Sequence, residues 1–202
     1  MPAAIAVATR RLEGLDPPAA LTHEGKGRLV VRITHADAPR IVRDVFGIVG
    51  DLDFLLVDMD AAPKDVAEGI ARPGSAIYPM ENGGPPIAVR LDGGVSGERL
   101  VHVVASIDAD TGQSVIRLQF DQKGTEAFAD FTGANVGLRI AIVLDGEVLT
   151  APTIQEAIRS GDVQISGNFT HDDANQLAIA LRSGALPTPF SLVAERIIAP
   201  SP

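Results

Sequence analysis

The run Asp108-Ala109-Asp110-Thr111-Gly112 opens like a calcium loop, with carboxylates two apart and a glycine to turn the chain. Such a loop also needs an acidic ligand at its twelfth position. Counted from Asp108, that position is Gln119, and the nearest following carboxylate, Asp121, is out of register. The segment therefore reads as an acidic β-turn between two strands. Gly93-Gly94-Val95-Ser96-Gly97 is glycine-rich, but no Lys-Ser/Thr pair or helix follows it, so it does not form a phosphate loop. Ser96 lacks the G-x-S-x-G context of a nucleophile elbow. His23, His35, His102 and His171 show no HxH or HxxxH spacing, which points to surface, capping or strand-face histidines. His171-Asp172-Asp173 is explained by the preference of helix starts for carboxylates. Asp51 and Asp53 could form a catalytic pair in principle, but they fit a solvated strand entry better. Nothing organises a nucleophile, a base and an oxyanion site together. The expectation is a non-enzyme with no metal and no cofactor.

The elements that would position these residues follow from periodicity. Ile5, Ala8 and Leu12 share one face of a helix over about Ala3–Leu15, with Arg10, Arg11 and Glu13 off it. Arg28–Thr34 reads as a strand. Asp37 can cap a helix with Pro39 in its first turn, and Ile41, Val42, Val45, Ile48 and Val49 form its apolar stripe. Gly50 closes that helix, and Phe54–Val57 is the next strand.

From Met59 to about Gly97, turn clusters such as Gly83-Gly84-Pro85-Pro86 predict a loop-rich β insertion. Short strands fall at Ile87–Leu91 and Leu100–Ser106. The strand-helix-strand pattern then returns. Ser114–Phe120 alternates as a strand, and Asp121 caps a helix carrying Ala127, Phe128 and Phe131. Leu138–Leu144 is a strand that turns at Asp145-Gly146 into Glu147–Leu149. Two such units suit a split βαβ, ferredoxin-like arrangement. A short strand over Val163–Ser166 precedes a helix whose Thr170 and Asp173 have capping-box spacing. Ala174, Leu177, Ala178 and Leu181 form its buried face, and Gly184 is its C-terminal cap. Leu186-Pro187-Thr188-Pro189 reads as a stiff connector, and Phe190–Ile198 as a terminal strand.

The chain has 202 residues, enough for one domain, or one domain with a sizeable insertion. Its 17 Lys and Arg against 26 Asp and Glu give a net charge of -9, which repels nucleic acid and anionic lipid at long range. With no Cys there is no disulfide or thiolate site. With no Trp and one Tyr, the chain is poor material for a base-stacking platform. Ile140–Leu144 is a five-residue apolar run, whereas a spanning helix needs about 20. At the start of the chain, Arg10 and Arg11 follow the mildly apolar Met1–Ala8, the reverse of a signal peptide's order.

Several longer stretches match a known pattern. Asn135–Ile154 (NVGLRIAIVLDGEVLTAPTI), Ile165–Thr170 (ISGNFT), Asp173-Ala174-Asn175, Leu177-Ala178 and Leu181–Pro187 (LRSGALP) together resemble the SecD family of bacterial protein-export membrane proteins. Glu195-Arg196 with Pro200-Ser201 is similar to the end of the same region. Upstream, Arg10-Arg11-Leu12 with Gly14, Leu52–Val57, and Asp121 with Gly124 and Phe128 match more loosely.

The resemblance implies an α+β fold, with a ferredoxin-like base and an inserted β-rich head. It divides the chain into a base part over 1–58, a head over 59–187, and a return strand to the base over 188–202. The family's glycine-rich strand after its first membrane helix has no counterpart here. The expectation is thus an excised domain or a reduced relative, with an incomplete base. The implied function is that of an extracytoplasmic domain of a Sec translocon accessory subunit, on the periplasmic face of the bacterial inner membrane. It would assist proton-motive-force-driven late export by binding unfolded preproteins and changing head orientation, with SecF and SecYEG as partners through the parent protein. The two crossings between base and head place a hinge at Asp58, Met59 and Pro63 on one side and Leu186, Pro187 and Pro189 on the other. An alternative remains a small α+β partner- or ligand-binding module unrelated to export.

Overall fold

The structure is a computed structural model that describes residues 2–16, 19–25, 28–34, 38–188 and 190–196. Helix α1 (Pro2–Glu13) is followed by strands β1 (Ala20–His23) and β2 (Leu29–Arg32), helix α2 (Ala38–Gly47) and strand β3 (Leu52–Leu56). The insertion contributes a short helix α3 (Pro63–Ala67), the hairpin β4 (Ser75–Tyr78) and β5 (Ile87–Arg90), and β6 (Val95–Ser96). Then come β7 (Leu100–Ile107), β8 (Ser114–Phe120), α4 (Gln122–Ala134), β9 (Ile140–Leu144), β10 (Glu147–Thr150), β11 (Asp162–Ser166) and α5 (His171–Ser183). The fold class is α+β, as the sequence led us to expect.

The strands lie in four small sheets, ordered β1-β2, β10-β9-β3-β6, β11-β8-β7 and β4-β5. β3 and β9 pair antiparallel over five residues, from Leu52 opposite Leu144 to Leu56 opposite Ile140. Both are apolar on two faces because both faces are covered. Leu52, Phe54, Leu56, Ile140 and Ile142 join Ile116, Leu118, Phe120, Phe128 and Leu177 in the main core. Leu55, Val57, Ala141 and Val143 pack with Val89 and Val148 on the other side. Isolated bridges at Val57–Val89 and Met80–Val148 fasten the β4–β5 hairpin there.

Neither strand-helix-strand unit keeps its two strands in one sheet. β2 pairs with β1 and β3 with β9, while β8 pairs with β7 and β11. Antiparallel neighbours next in sequence captured β2 and β8, because a short connection closes at less entropic cost than a crossover.

The helix caps are built as their side chains dictate. The Asp121 carboxylate accepts from the Gly124 amide at 2.7 Å. A Cβ on Gly124 would meet Phe120 and Arg99 at 2.9 Å, so only glycine lets the first turn of α4 sit against β8. Thr170 and Asp173 form the full reciprocal capping box of α5, whose Ala174, Leu177, Ala178 and Leu181 are buried.

Four expectations need correction. Arg11 is not off the buried face of α1; it is fully buried, for reasons given below. On α2 only Val45 is fully buried; Ile41 and Val42 are half-buried, because the thin β1–β2 sheet covers that helix incompletely, and Ile48 and Val49 fall beyond the helix and are half-buried there. The insertion contains a helix, α3, as well as strands. Residues 190–196 of the predicted terminal strand are not in a strand. Leu192 and Val193 are exposed there, while Phe190 packs edge-on against Phe46 at 5.5 Å. Apolar spacing cannot make a strand without a ladder partner. Asp37, Pro189 and 197–202 lie outside the described residues.

Candidate functional site

Of the expected hinge residues, Asp58 lies just past one end of β3, and Leu186 is bonded just before the other. Asp58 follows the strand. It is buried, and its carboxylate is fully engaged. Oδ1 accepts from the Asp60 amide at 3.1 Å and from Arg72 Nη1 at 2.9 Å, and Oδ2 accepts from Ser75 Oγ at 2.7 Å. The Asp58 amide donates to Ala88 O at 2.8 Å. The Ser75 hydroxyl, with help from the Asp60 amide and Arg72, holds the Asp58 carboxyl below the usual carboxylate range despite its burial. Met59 is exposed. Pro63 is the first residue of α3, where its missing N–H costs nothing. The chain here is tied down by one carboxylate, and the next residue is exposed.

Leu186 meets the chain just before β3. Leu186 is buried, and its amide donates to Val49 O at 2.8 Å. Pro187 is exposed, and Pro189 lies outside the described residues. Around Val49 two side chains converge, Arg11 and Asp145, each read from the sequence in another role.

Arg11 reaches from α1 into the C-terminal carbonyls of two other helices. Its guanidinium donates to Val45 O at 2.8 Å, to Ile48 O, to Val49 O at 2.6 Å and to Gly184 O at 3.3 Å. Helix ends leave carbonyls without partners and carry partial negative charge, so a cation there answers both. Burial pushes Arg11 down to about 10, against the opposing pull of Asp145, and it stays charged at neutral pH. Asp145 approaches from the β9–β10 hairpin. Its carboxylate accepts from the amides of Val49 at 2.7 Å, Gly50 at 2.9 Å and Asp51 at 2.8 Å. Asp145 itself adopts φ 51°, and Gly146 φ 83°, as a tight hairpin of this kind requires. The Asp-Gly pair announced the turn in the sequence. Nothing local announced that its carboxylate would cap a segment about 95 residues upstream.

A cavity of about 400 Å³ opens beside this junction. Ile48, Leu144, Leu149, Phe169 and Leu177 supply its apolar lining, and Glu81 and Glu147 add carboxylates. The carboxylates of Asp145 and Asp173, which also line it, are occupied by the amides they cap.

Other sequence candidates disperse. Asp108 Oδ1 accepts from the amides of Asp110 and Thr111 and from Thr111 Oγ1, and Oδ2 accepts from Gln164. These bonds, led by the Thr111 amide, pull its carboxyl down to about 2. The loop is an Asx-type turn tied to β11. Burial first, then Asp51 and Glu98, raise the Asp53 carboxyl. His102 lies on β7 and His171 opens α5. Among the described residues no cluster of three or more His, Asp or Glu is placed to hold a metal, and no helix is long and apolar enough to cross a membrane.

Comparison with known proteins converges on one group. Residues 75–188 match the family described as SecDF, P1 head subdomain. A protein translocase subunit SecD from Acetobacter pasteurianus is 38% identical over 204 residues, covering 98% of this chain and 38% of that protein. The subunit of the same name from Syntrophobacter fumaroxidans is 36% identical over 186 residues, covering 88% of this chain and 35% of its own length. This chain thus spans little more than a third of such relatives. Among solved structures, a membrane component SecDF described as enhancing protein export superimposes with a TM-score of 0.71 at 26% identity, covering 98% of this chain and 92% of that one. SecDF in a super-membrane-facing form matches with the same score and identity, over 96% of this chain and 28% of that one.

Proposed function

The chain belongs to the SecD family, and on that premise we propose that it is the extracytoplasmic region of a Sec translocon accessory subunit, acting late in the export of unfolded preproteins. In this reading it faces the periplasm at the inner membrane and works with SecF and SecYEG through its parent protein. It binds the emerging chain and changes head orientation, while the parent couples that change to the proton gradient. It carries out no chemistry of its own. The observation that carries the reading is the match along nearly the whole chain to a solved SecDF component said to enhance protein export.

The hinge we propose uses the two crossings as pivots: Asp58, Met59 and Pro63 for one, and Leu186, Pro187 and Pro189 for the other. Two pivots define an axis. Each has a latch, the Asp58–Arg72–Ser75 bonds at one end and the Leu186–Val49 bond at the other. Movement must break those bonds, and any rotation of one body against the other must also shear contacts of β3 with β9 and the main core. The base part over 1–58 and the head over 59–187 are the bodies proposed, although β3 is laddered to β9 across that division.

A reversible cross-link tests this. Arg40 on α2 and Asp172 on α5 are exposed and 3.6 Å apart at their tips. This chain contains no cysteine, so Arg40→Cys with Asp172→Cys adds a clean pair. In the full-length parent, bridging them with a bis-methanethiosulfonate linker slows export of a secreted reporter, and reduction restores it. Unchanged export with the bridge complete would overturn the orientation change. Unchanged export after deletion of residues 75–188 would overturn the export role itself.

A further inference from the structure

The sheet β11-β8-β7 has two edges, and they differ in how they are protected. β11 has five residues, including Asp162, Gln164 and Ser166. β7 has eight, Leu100–Ile107, with no Lys, Arg, Asp, Glu or Pro among them. Edge strands in monomeric proteins are normally blunted by charge, proline, brevity or a bulge. The one irregularity of β7 sits at its start, between Leu100 and His102. Val101, Val104 and Ile107 are 51%, 49% and 61% exposed. Among the described residues, no backbone hydrogen bond of residues 101–107 leaves the sheet to a loop or helix. α5 packs on the face of this sheet, against Val103 and Ala105.

We propose that the free edge of β7 takes up one extended segment of unfolded polypeptide as an added strand. The proposal deepens the export reading and rests on it. Main-chain hydrogen bonds supply affinity that does not depend on the client's sequence. Val104 on the open face of the sheet and Ile107 on the face that α5 covers each give a neighbouring client side chain an apolar contact, and β7 itself carries no Lys, Arg, Asp or Glu to select a client charge at the edge. The occupant is a single extended segment and not a second copy of this chain. Eight residues give an edge about 27 Å long. A ribbon of that length and about 10 Å width buries roughly 300 Å², against the ~800 Å² per partner of a stable complex. So small a contact also releases quickly, as a segment in transit must be released.

The probe is a fluorescein-labelled peptide of alternating Val and Thr, with a second version N-methylated at alternate amides. The purified 202-residue chain should bind the first, and N-methylation should weaken binding about tenfold or more by removing ladder donors. Val104→Lys, at an exposed position, should weaken it similarly; the lysine faces Arg117 across the ladder, so the melting temperature is expected to fall only slightly. Ser166→Lys, at an exposed position of the opposite edge, should have no such effect. Equal binding of both peptides, or binding indifferent to Val104→Lys, would overturn the edge while sparing the client-binding reading. Failure to bind this peptide and a reduced, carboxymethylated unfolded protein alike would overturn both. A dimer in sedimentation that Val104→Lys dissolves would reassign the edge to self-association.

Discussion

The two strand-helix-strand units look alike in sequence and are held together by different physics. The second, β8–α4–β9, is held by an aromatic core. Phe128 lies 5.1 Å from both Phe54 and Phe120 and 6.4 Å from Phe131, centroid to centroid, and is 1% exposed. The first, β2–α2–β3, buries Val45 alone on its helix. Its helix end is fixed by polar groups from elsewhere, Arg11 on the carbonyls and Asp145 on the amides that follow. Equal apolar periodicity thus does not mean equal burial. A helix with a thin sheet over it can be fixed at its end by hydrogen bonds in place of core contacts.

The largest effect that would break this contrast is at Phe128. Phe128→Ala is expected to cost about 3–5 kcal/mol, read by urea denaturation. A cost near that of a surface change would show the second unit is not core-held. Arg11→Met comes next, at about 2–4 kcal/mol, because the carbonyls of Val45, Ile48, Val49 and Gly184 lose a shared donor. If Arg11→Met is neutral while Val45→Ala is severe, the first unit is core-held after all. Val45→Ala itself removes two buried methyl groups and is expected to cost about 2 kcal/mol.

The smallest effect sharpens the comparison from the acid side. The Asp58 carboxyl titrates below its ordinary value, chiefly because of the Ser75 hydroxyl. A depressed carboxylate contributes stability that is present above the unfolded pKa, about 3.9. That stability is lost as pH falls through the folded value. Asp58→Asn should therefore lower stability at neutral pH and flatten the decline below about pH 4. An acid limb as steep as that of the unaltered chain would place the titrating group elsewhere.

The sequence was most legible where a rule is local. Asp121, the Thr170/Asp173 capping box and the Asp145-Gly146 turn each depend on residues within one turn, and each is built as read. The β8 boundaries, Ser114–Phe120, followed from alternation alone. Legibility failed where the partner is distant. Arg11 reads as solvated on a helical wheel, since a wheel cannot know that two helix C-termini converge on it. Ala20–His23 is too short and too mixed to signal a strand, and it exists because Leu29–Arg32 pairs with it. Of the expected hinge residues, Asp58 and Leu186 proved to be buried and bonded. Their setting comes from Arg72, Ser75 and Val49, which no spacing rule connects to them.

The Arg11 junction also has a consequence in time. Arg11 and Gly184 are 173 residues apart, and Asp145 and Val49 are 96 apart. Synthesis runs from the N-terminus at about 5–20 residues per second. At that pace the guanidinium on α1 waits on the order of ten seconds or more for the carbonyl of Gly184 to be made. The amides of Val49, Gly50 and Asp51 wait about half as long or more for their carboxylate. Helix α1 is thus made well before α5 but finished only with it, and its contact with the end of α5 is completed last.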